Sequence, residues 1–383
     1  SSPSLGSRPS SSPPFPPSAS PPPISGPPFS PSVFCCRRAS LHAAPTYAAL
    51  FLFPHLFRRS GTGAVSSCVT LRGMNSHGVV PDVSKVTVVD DPALLEEKAA
   101  AIRLAGPAKL QVIADFDATL TKYIVNGRRG DSSHGLLRQE NAEYDAKRLA
   151  LYQYYHPLEF SPSIPIEEKT KLMEEWWGKT HNLLIEGGLT YDSIKESVAA
   201  SEIAFREGVV ELFEFLEERD IPVLIFSAGL ADIIEEVLRQ KIHRSFKNVR
   251  IVSNRMEFNR DGRLISFKGS MFAGKLIHSL NKNEHALDMA GPLHEHLGDS
   301  NGLNNLGGSV KDRTNVLLLG DHLGDLRMSD GLDYSTRISV GFLNDNIENN
   351  IAGYSKAFDV LYLNDAPMWG VVNLVSQLWP THN

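Results

Sequence analysis

The sequence predicts an α/β protein, with a Rossmann-like parallel-sheet core interrupted by an all-helical second domain. Three observations carry this. Short apolar runs such as KLQVIA, PVLIF and NVLLLG alternate with helical patterns, as in a sheet covered on both faces. Three consecutive helical patterns, roughly residues 124 to 206, break that alternation. Three of the apolar runs end in polar clusters, and open α/β sheets bind ligands at strand ends.

Residues 1–79 are expected to be a disordered extension, because the Ser/Pro-rich composition offers no face that could pack. All three cysteines, Cys35, Cys36 and Cys68, lie there, so the rest has no disulfide framework and no cysteine metal site. The chain carries a net charge of −6, made of +6 over the first 80 residues and −12 over the remainder. An acidic body argues against a general nucleic-acid or anionic-membrane surface. The apolar stretch Leu41 to Phe57 is short and interrupted by Pro45 and Pro54, which excludes a spanning helix. An acid-free, Arg- and Ser-rich leader reads as an organelle transit peptide. The competing reading is translated sequence upstream of Met74, with the protein itself cytoplasmic.

The core is expected over 80–123 and 207–383, with the helical insertion over 124–206. DPALLEEKAAAIRLAG reads as a helix capped by Asp91 and ended by Gly106. KLQVIA follows as a strand. HGLLRQENAEYDAKRLALYQYY, IEEKTKLMEEWWGKTHNLLIEGG and TYDSIKESVAASEIAF are the three inserted helices. Alternation then resumes: VVELFEFLEERD is a helix, PVLIF a strand, LADIIEEVLRQ a helix and NVRIVS a strand. MEFNRDGRLISF predicts a hairpin around Asp261-Gly262, and NVLLLG a further strand.

KLQVIA ends in Asp115-Phe-Asp117-Ala-Thr119, PVLIF in Ser227-Ala-Gly229, and NVLLLG in Asp321-His-Leu-Gly-Asp325. Singly, each is explained by a cap or a turn. Together, their carboxylates would repel one another in a half-buried cleft unless a divalent cation sat among them. An oxygen-only donor set points to Mg²⁺ rather than zinc. Mg²⁺ beside a serine and a lysine makes a phosphate site. One aspartate, Asp115, can then attack phosphorus, and Asp117 can serve as its acid/base partner.

DxDxT, Ser-x-Gly, a lysine and GDxxxD in this order resemble the haloacid dehalogenase superfamily. More closely, AKLQVIADFDATL, IPVLIFSAGLADIIEEVLRQ, NVRIVSNRMEF, FKG…LIHSLNKN and LLLGDHLGDLRMSDG resemble the type III cytosolic pyrimidine 5′-nucleotidases, from about Val80 to the C-terminus. The resemblance implies a helical cap over the core and Mg²⁺ held by Asp115, Asp321 and the Asp117 carbonyl, with Asp325 orienting its water. It implies that Ser227 and Ala228 bind phosphate, that Glu159 faces the base, and that Thr180 lies near the substrate. Three lysines compete for the family's catalytic position: Lys268, Lys275 and Lys282. The NK-x-acid-x-AL context selects Lys282. LGDSNG around Asp299 mimics the metal motif without a preceding strand and is taken as a decoy.

The implied reaction is hydrolysis of nucleoside 5′-monophosphates, CMP and UMP. Trp177 supplies an indole face which, beside Glu159, makes 7-methylguanosine monophosphate a rival substrate. Other readings are a phosphatase of the same superfamily acting on a non-nucleotide phosphomonoester, and a nucleotide-binding protein without activity. The expected partner is a small-molecule nucleotide, with no nucleic acid and no membrane, bound by a monomer.

Overall fold

The computed structural model describes residues 87–137, 141–161, 163–268, 276–284 and 312–380. The readings of residues 1–79, Lys275 and Asp299 lie outside them. Eight strands form one sheet: β1 (Thr87–Val88), β2 (Leu110–Ala114), β5 (Val223–Leu230), β6 (Val249–Phe258), β7 (Leu264–Lys268), β8 (Asn315–Gly320), β9 (Thr336–Leu343) and β10 (Val360–Leu363). Their order is β1-β10-β9-β8-β2-β5-β6-β7, parallel throughout except for β1 and β7 at the edges. From β2 the chain builds one side through β5 and β6, then returns to β8 on the other. The carboxyl end of β2 is therefore the topological switch point, where such sheets bind ligands.

Strand period explains the two-sided burial. Val112, Ala114, Val223, Ile225, Leu317 and Leu319 enter one core, while Ile113, Leu224, Phe226, Val316 and Leu318 enter the other. Helices α1 (Pro92–Ala105), α5 (Val209–Glu217) and α6 (Ala231–Ile242) and the C-terminal α8 (Trp369–Leu378) bring apolar residues to the first. Helix α7 (Ile347–Ala357) packs on β9 and β10. Asp91 caps α1 by accepting from Leu94 N at 2.9 Å, and Gly106 ends it at φ 84°, as the sequence predicts. The β6–β7 hairpin turns where expected. Asn259 Oδ1 accepts from Asp261 N and Arg263 N, and Gly262 takes φ 73°.

Between β2 and α5 lie a small hairpin, β3 (Ile124–Val125) with β4 (Arg128–Arg129), and three helices: α2 (Ala142–Phe160), α3 (Ile166–Glu186) and α4 (Tyr191–Ala200). These are the expected inserted helices, with two corrections. The first starts at Ala142, not near His134, because Asn141 accepts from Glu143 N and Tyr144 N and fixes the start there. Leu136 and Leu137, which continued the apolar spacing, belong to a preceding turn and are buried in the core. The third ends at Ala200, and Ser201 to Phe205 run back toward the sheet as extended chain. NVRIVS and the first half of the hairpin are also one continuous strand, β6. Among the described residues, no helix is long and apolar enough to cross a membrane.

Candidate active site

The chain leaves β2 through Asp115 and enters a wide turn, Phe116–Leu120, with Ala118 in the left-handed region at φ 58°. A non-glycine residue there costs about 1–2 kcal/mol, so something must hold it. Arg206, 2% exposed, does so. Its guanidinium donates to the carbonyls of Ala118 (2.6 Å), Thr119 (2.8 Å) and Ala366 (2.6 Å), and pairs with Asp365 at 2.8 Å. Asn344 Nδ2 donates to the Ala118 carbonyl as well, at 3.0 Å. The loop carrying both aspartates is thus fastened from beneath by residues far away in sequence.

Asp115, Asp321 and Asp325 each bring a carboxylate oxygen within 4.8 Å of the others. Lys282 lies between two of them, with Nζ 2.7 Å from Asp115 Oδ1 and 2.7 Å from Asp325 Oδ1. Thr119 Oγ1 donates to Asp321 Oδ1 at 3.2 Å. Asp325 Oδ2 accepts from the backbone N–H groups of Asp321 and His322, which closes the short turn of helix, Leu323–Ser329, that His322 caps. Gly320 is needed at the strand end, since a Cβ there would lie 2.5 Å from Asp325 Cβ.

Burial pushes the Asp115 carboxyl up to about 7, against the pull of Lys282 and with a further push from Asp325. Burial, with Asp325 and Asp115, raises Asp321 well above the carboxylate range. Lys282 is raised too: burial opposes its charge, but the carboxylates of Asp115 and Asp325 outweigh it. One lysine leaves this cluster short of positive charge. A divalent cation with oxygen preference fits the donors and would remove that cost.

Lys268 stands on β7, ion-paired with Glu257 and 60% exposed at its side chain, away from the cluster. Lys282 is carried on a segment pinned to β6. Asn254 bonds both the N–H and the carbonyl of Ile277, and Asn281 spans back to His278 N and Leu276 O.

Asp115, Asp321, Asp325 and Lys282 line a cavity of about 410 Å³ together with Asp117, Ser227, Ala228, Glu159, Trp177 and Thr180. Ser227 Oγ accepts from Gly229 N at 3.0 Å, and α6 has no side-chain cap, so Ser227 does not cap it. The Ala228 carbonyl accepts from Trp177 Nε1 (3.0 Å) and Asn254 Nδ2 (3.1 Å), which ties helix α3 to the end of β5. Thr180 lines the wall, but its hydroxyl donates to the Trp176 carbonyl of its own helix. Glu159 sits in the last turn of α2. Burial raises Asp117, against two hydrogen bonds from Ser133 that pull it down.

Sequence reasoning missed Ser133, Arg129, Arg148, Tyr152 and His322, which line or brace the cavity. The spacing of Arg148, Tyr152 and Glu159 on one face of α2 was the available signal. Trp176 lines the cavity too, and its ring stacks on Tyr155 at 5.9 Å.

The family model described as pyrimidine 5′-nucleotidase (UMPH-1) matches residues 118–379. The chain is 37% identical over 311 residues to 7-methylguanosine phosphate-specific 5′-nucleotidase A of Xenopus laevis, covering 79% of this chain and 99% of that relative. It is 38% identical over 300 residues to the Homo sapiens 7-methylguanosine phosphate-specific 5′-nucleotidase, covering 77% and 93%. The crystal structure of cytosolic 5′-nucleotidase IIIB bound to cytidine superposes with a TM-score of 0.62 at 30% identity, over 76% of this chain and 93% of that one.

Proposed function

We infer the reaction from one premise: the chain belongs to the pyrimidine 5′-nucleotidase (UMPH-1) family and is a 5′-nucleotidase with the haloacid dehalogenase-type core and helical cap. We propose that it hydrolyses 7-methylguanosine 5′-monophosphate and CMP, with UMP a poorer substrate, in the cytoplasm. One observation carries this reading. A single cavity holds both the carboxylate–lysine cluster and, on its cap side, Glu159, Trp176 and Trp177. The relatives named for 7-methylguanosine phosphate and the neighbour bound to cytidine support the two bases. Residues 80–123 and 207–383 form the catalytic core in this reading, and 124–206 the cap.

Asp115 attacks phosphorus, and the P–O5′ bond breaks with its electron pair on O5′. Asp117 gives its proton to that oxygen, and the nucleoside leaves. Asp117, now a carboxylate, takes a proton from water as the water attacks the aspartyl-phosphate. The bond from phosphorus to Asp115 then breaks, freeing phosphate and the Asp115 carboxylate. Lys282 holds the Asp115 carboxylate in line throughout, while Ser227 and Ala228 receive the phosphoryl oxygens. Asp115, Asp321 and the Asp117 carbonyl would hold Mg²⁺, with Asp325 bracing them, and Mg²⁺ would neutralise phosphoryl charge.

Three results test the assignment. Activity should vanish in excess EDTA and return with added Mg²⁺. Asp321→Asn should raise the Mg²⁺ concentration needed for half-activity by about tenfold or more, because a formal ligand charge is lost. Undiminished turnover in EDTA would remove the metal from the account. On the cap side, Glu159→Ala should lower kcat/KM for CMP and 7-methylguanosine monophosphate by ~1–3 kcal/mol, and for UMP by less. Glu159 can accept from the exocyclic amine that uracil lacks, and a cationic methylated purine gains from the indole faces. Equal losses on all three nucleotides would mean that Glu159 does not read the base.

A further inference from the structure

Both oxygens of Asp117 are held by one residue that the reaction above does not use. Ser133 N–H donates to Oδ1 and Ser133 Oγ to Oδ2, each at 2.6 Å. Ser133 is fully buried. Its hydroxyl is wedged against the phosphate-binding segment, because a Cβ on Gly229 would lie 2.2 Å from it. Ser133 in turn is fixed by the insertion. Asp131 exchanges two 2.9 Å hydrogen bonds with Glu202, its N–H to the Glu202 carbonyl and its Oδ2 from the Glu202 N–H. Arg148 of α2 donates to the carbonyls of Gly135 (2.6 Å) and Leu137 (2.8 Å). A continuous chain of contacts therefore runs from a cap helix to the acid/base carboxyl.

We propose that Ser133 is a positioning residue that aims the Asp117 carboxyl at the leaving-group oxygen, so that acid catalysis depends on where the helical cap sits. The inference rests on the acid/base role given to Asp117 above. A carboxyl can turn about two side-chain bonds, and general acid catalysis needs the proton within hydrogen-bond reach of the oxygen it serves. The two bonds from Ser133 fix both torsions. Each carboxyl oxygen keeps a second lone-pair direction, where the transferable proton can ride. That proton goes to O5′ as the P–O5′ bond breaks, and Ser133 gains and loses nothing.

The test compares leaving groups. A nucleoside alkoxide must be protonated as it departs, whereas p-nitrophenolate leaves as a stable anion. For Ser133→Ala, kcat on CMP should fall on the order of 10- to 100-fold, part of the 10²–10⁴ that general acid catalysis supplies. Its KM should hold, and kcat on p-nitrophenyl phosphate should change by less than about threefold. Ser133→Thr, which keeps the hydroxyl, should recover the CMP rate. A loss of equal size on both substrates, or no loss on CMP, overturns the proposal. If the alanine variant does not fold, the same comparison on Ser133→Cys, a weaker donor, decides it by the same criterion. Wild-type protein inert toward every nucleotide would instead overturn the reaction assignment. An alkyl phosphate that the wild type does hydrolyse then replaces CMP in the comparison.

Discussion

Asp115→Asn is expected to lower nucleotide hydrolysis by at least about 10⁴-fold, the scale seen when a covalent nucleophile is removed. The amide keeps the shape of the carboxyl but cannot form the aspartyl-phosphate. The same substitution should leave the fold intact and, in EDTA, raise the melting temperature slightly. Burial pushes the Asp115 pKa up to about 7. A carboxyl whose folded pKa lies above its unfolded value costs stability once the pH exceeds the unfolded value, so at neutral pH the ionised Asp115 is a burden. An amide has no charge to bury. Acid-quenched samples incubated with substrate should carry phosphate on the wild-type chain and none on the variant. A variant that keeps more than about one per cent of the wild-type rate would move the nucleophile elsewhere.

The carboxylate end of the cavity was legible because its residues sit where local sequence fixes position. Asp115 and Asp321 directly follow continuous apolar runs, which become fully buried central strands whose ends lie together at the switch point. The wall above it was less legible. Arg206 sits 88 residues from Ala118, whose carbonyl it holds. Arginine is usually an exposed residue, so nothing local marks this one as a buried clamp. Ser133 has the same character: a serine in a polar stretch, which reads as a turn until the chain folds it onto Asp117. The misplaced start of α2 has a different cause. The spacing of Leu136 and Leu137 continues the helical stripe, but those side chains fill the core from a turn, and the Asn141 cap decides the boundary. Lys282 was legible only through its neighbours, Asn281 and the acid that follows, and that same Asn281 ties the segment down.

Lys282→Met should reduce kcat by at least about 10³-fold and destabilise the metal-free protein by about 3–5 kcal/mol, the usual consequence of removing one partner from a buried ionic cluster. Methionine keeps most of the stem's volume, so the effect isolates the charge. Lys282 is 5% exposed and stands 2.7 Å from both Asp115 and Asp325. Without it, three carboxylates with oxygens inside 4.8 Å face one another uncompensated. The outcome separates two roles. If Lys282 acts as a counter-charge as well as an orienting donor, Mg²⁺ should raise the melting temperature of the variant more than that of the wild type, because the cation then supplies the missing positive charge. Turnover should stay low even at saturating Mg²⁺, because no metal replaces a hydrogen-bond donor at the Asp115 oxygen. A solvated lysine at a turn would instead cost about 0.5 kcal/mol or less on substitution. A stability change that small, together with more than a tenth of the wild-type rate, would return the catalytic lysine to the other candidates.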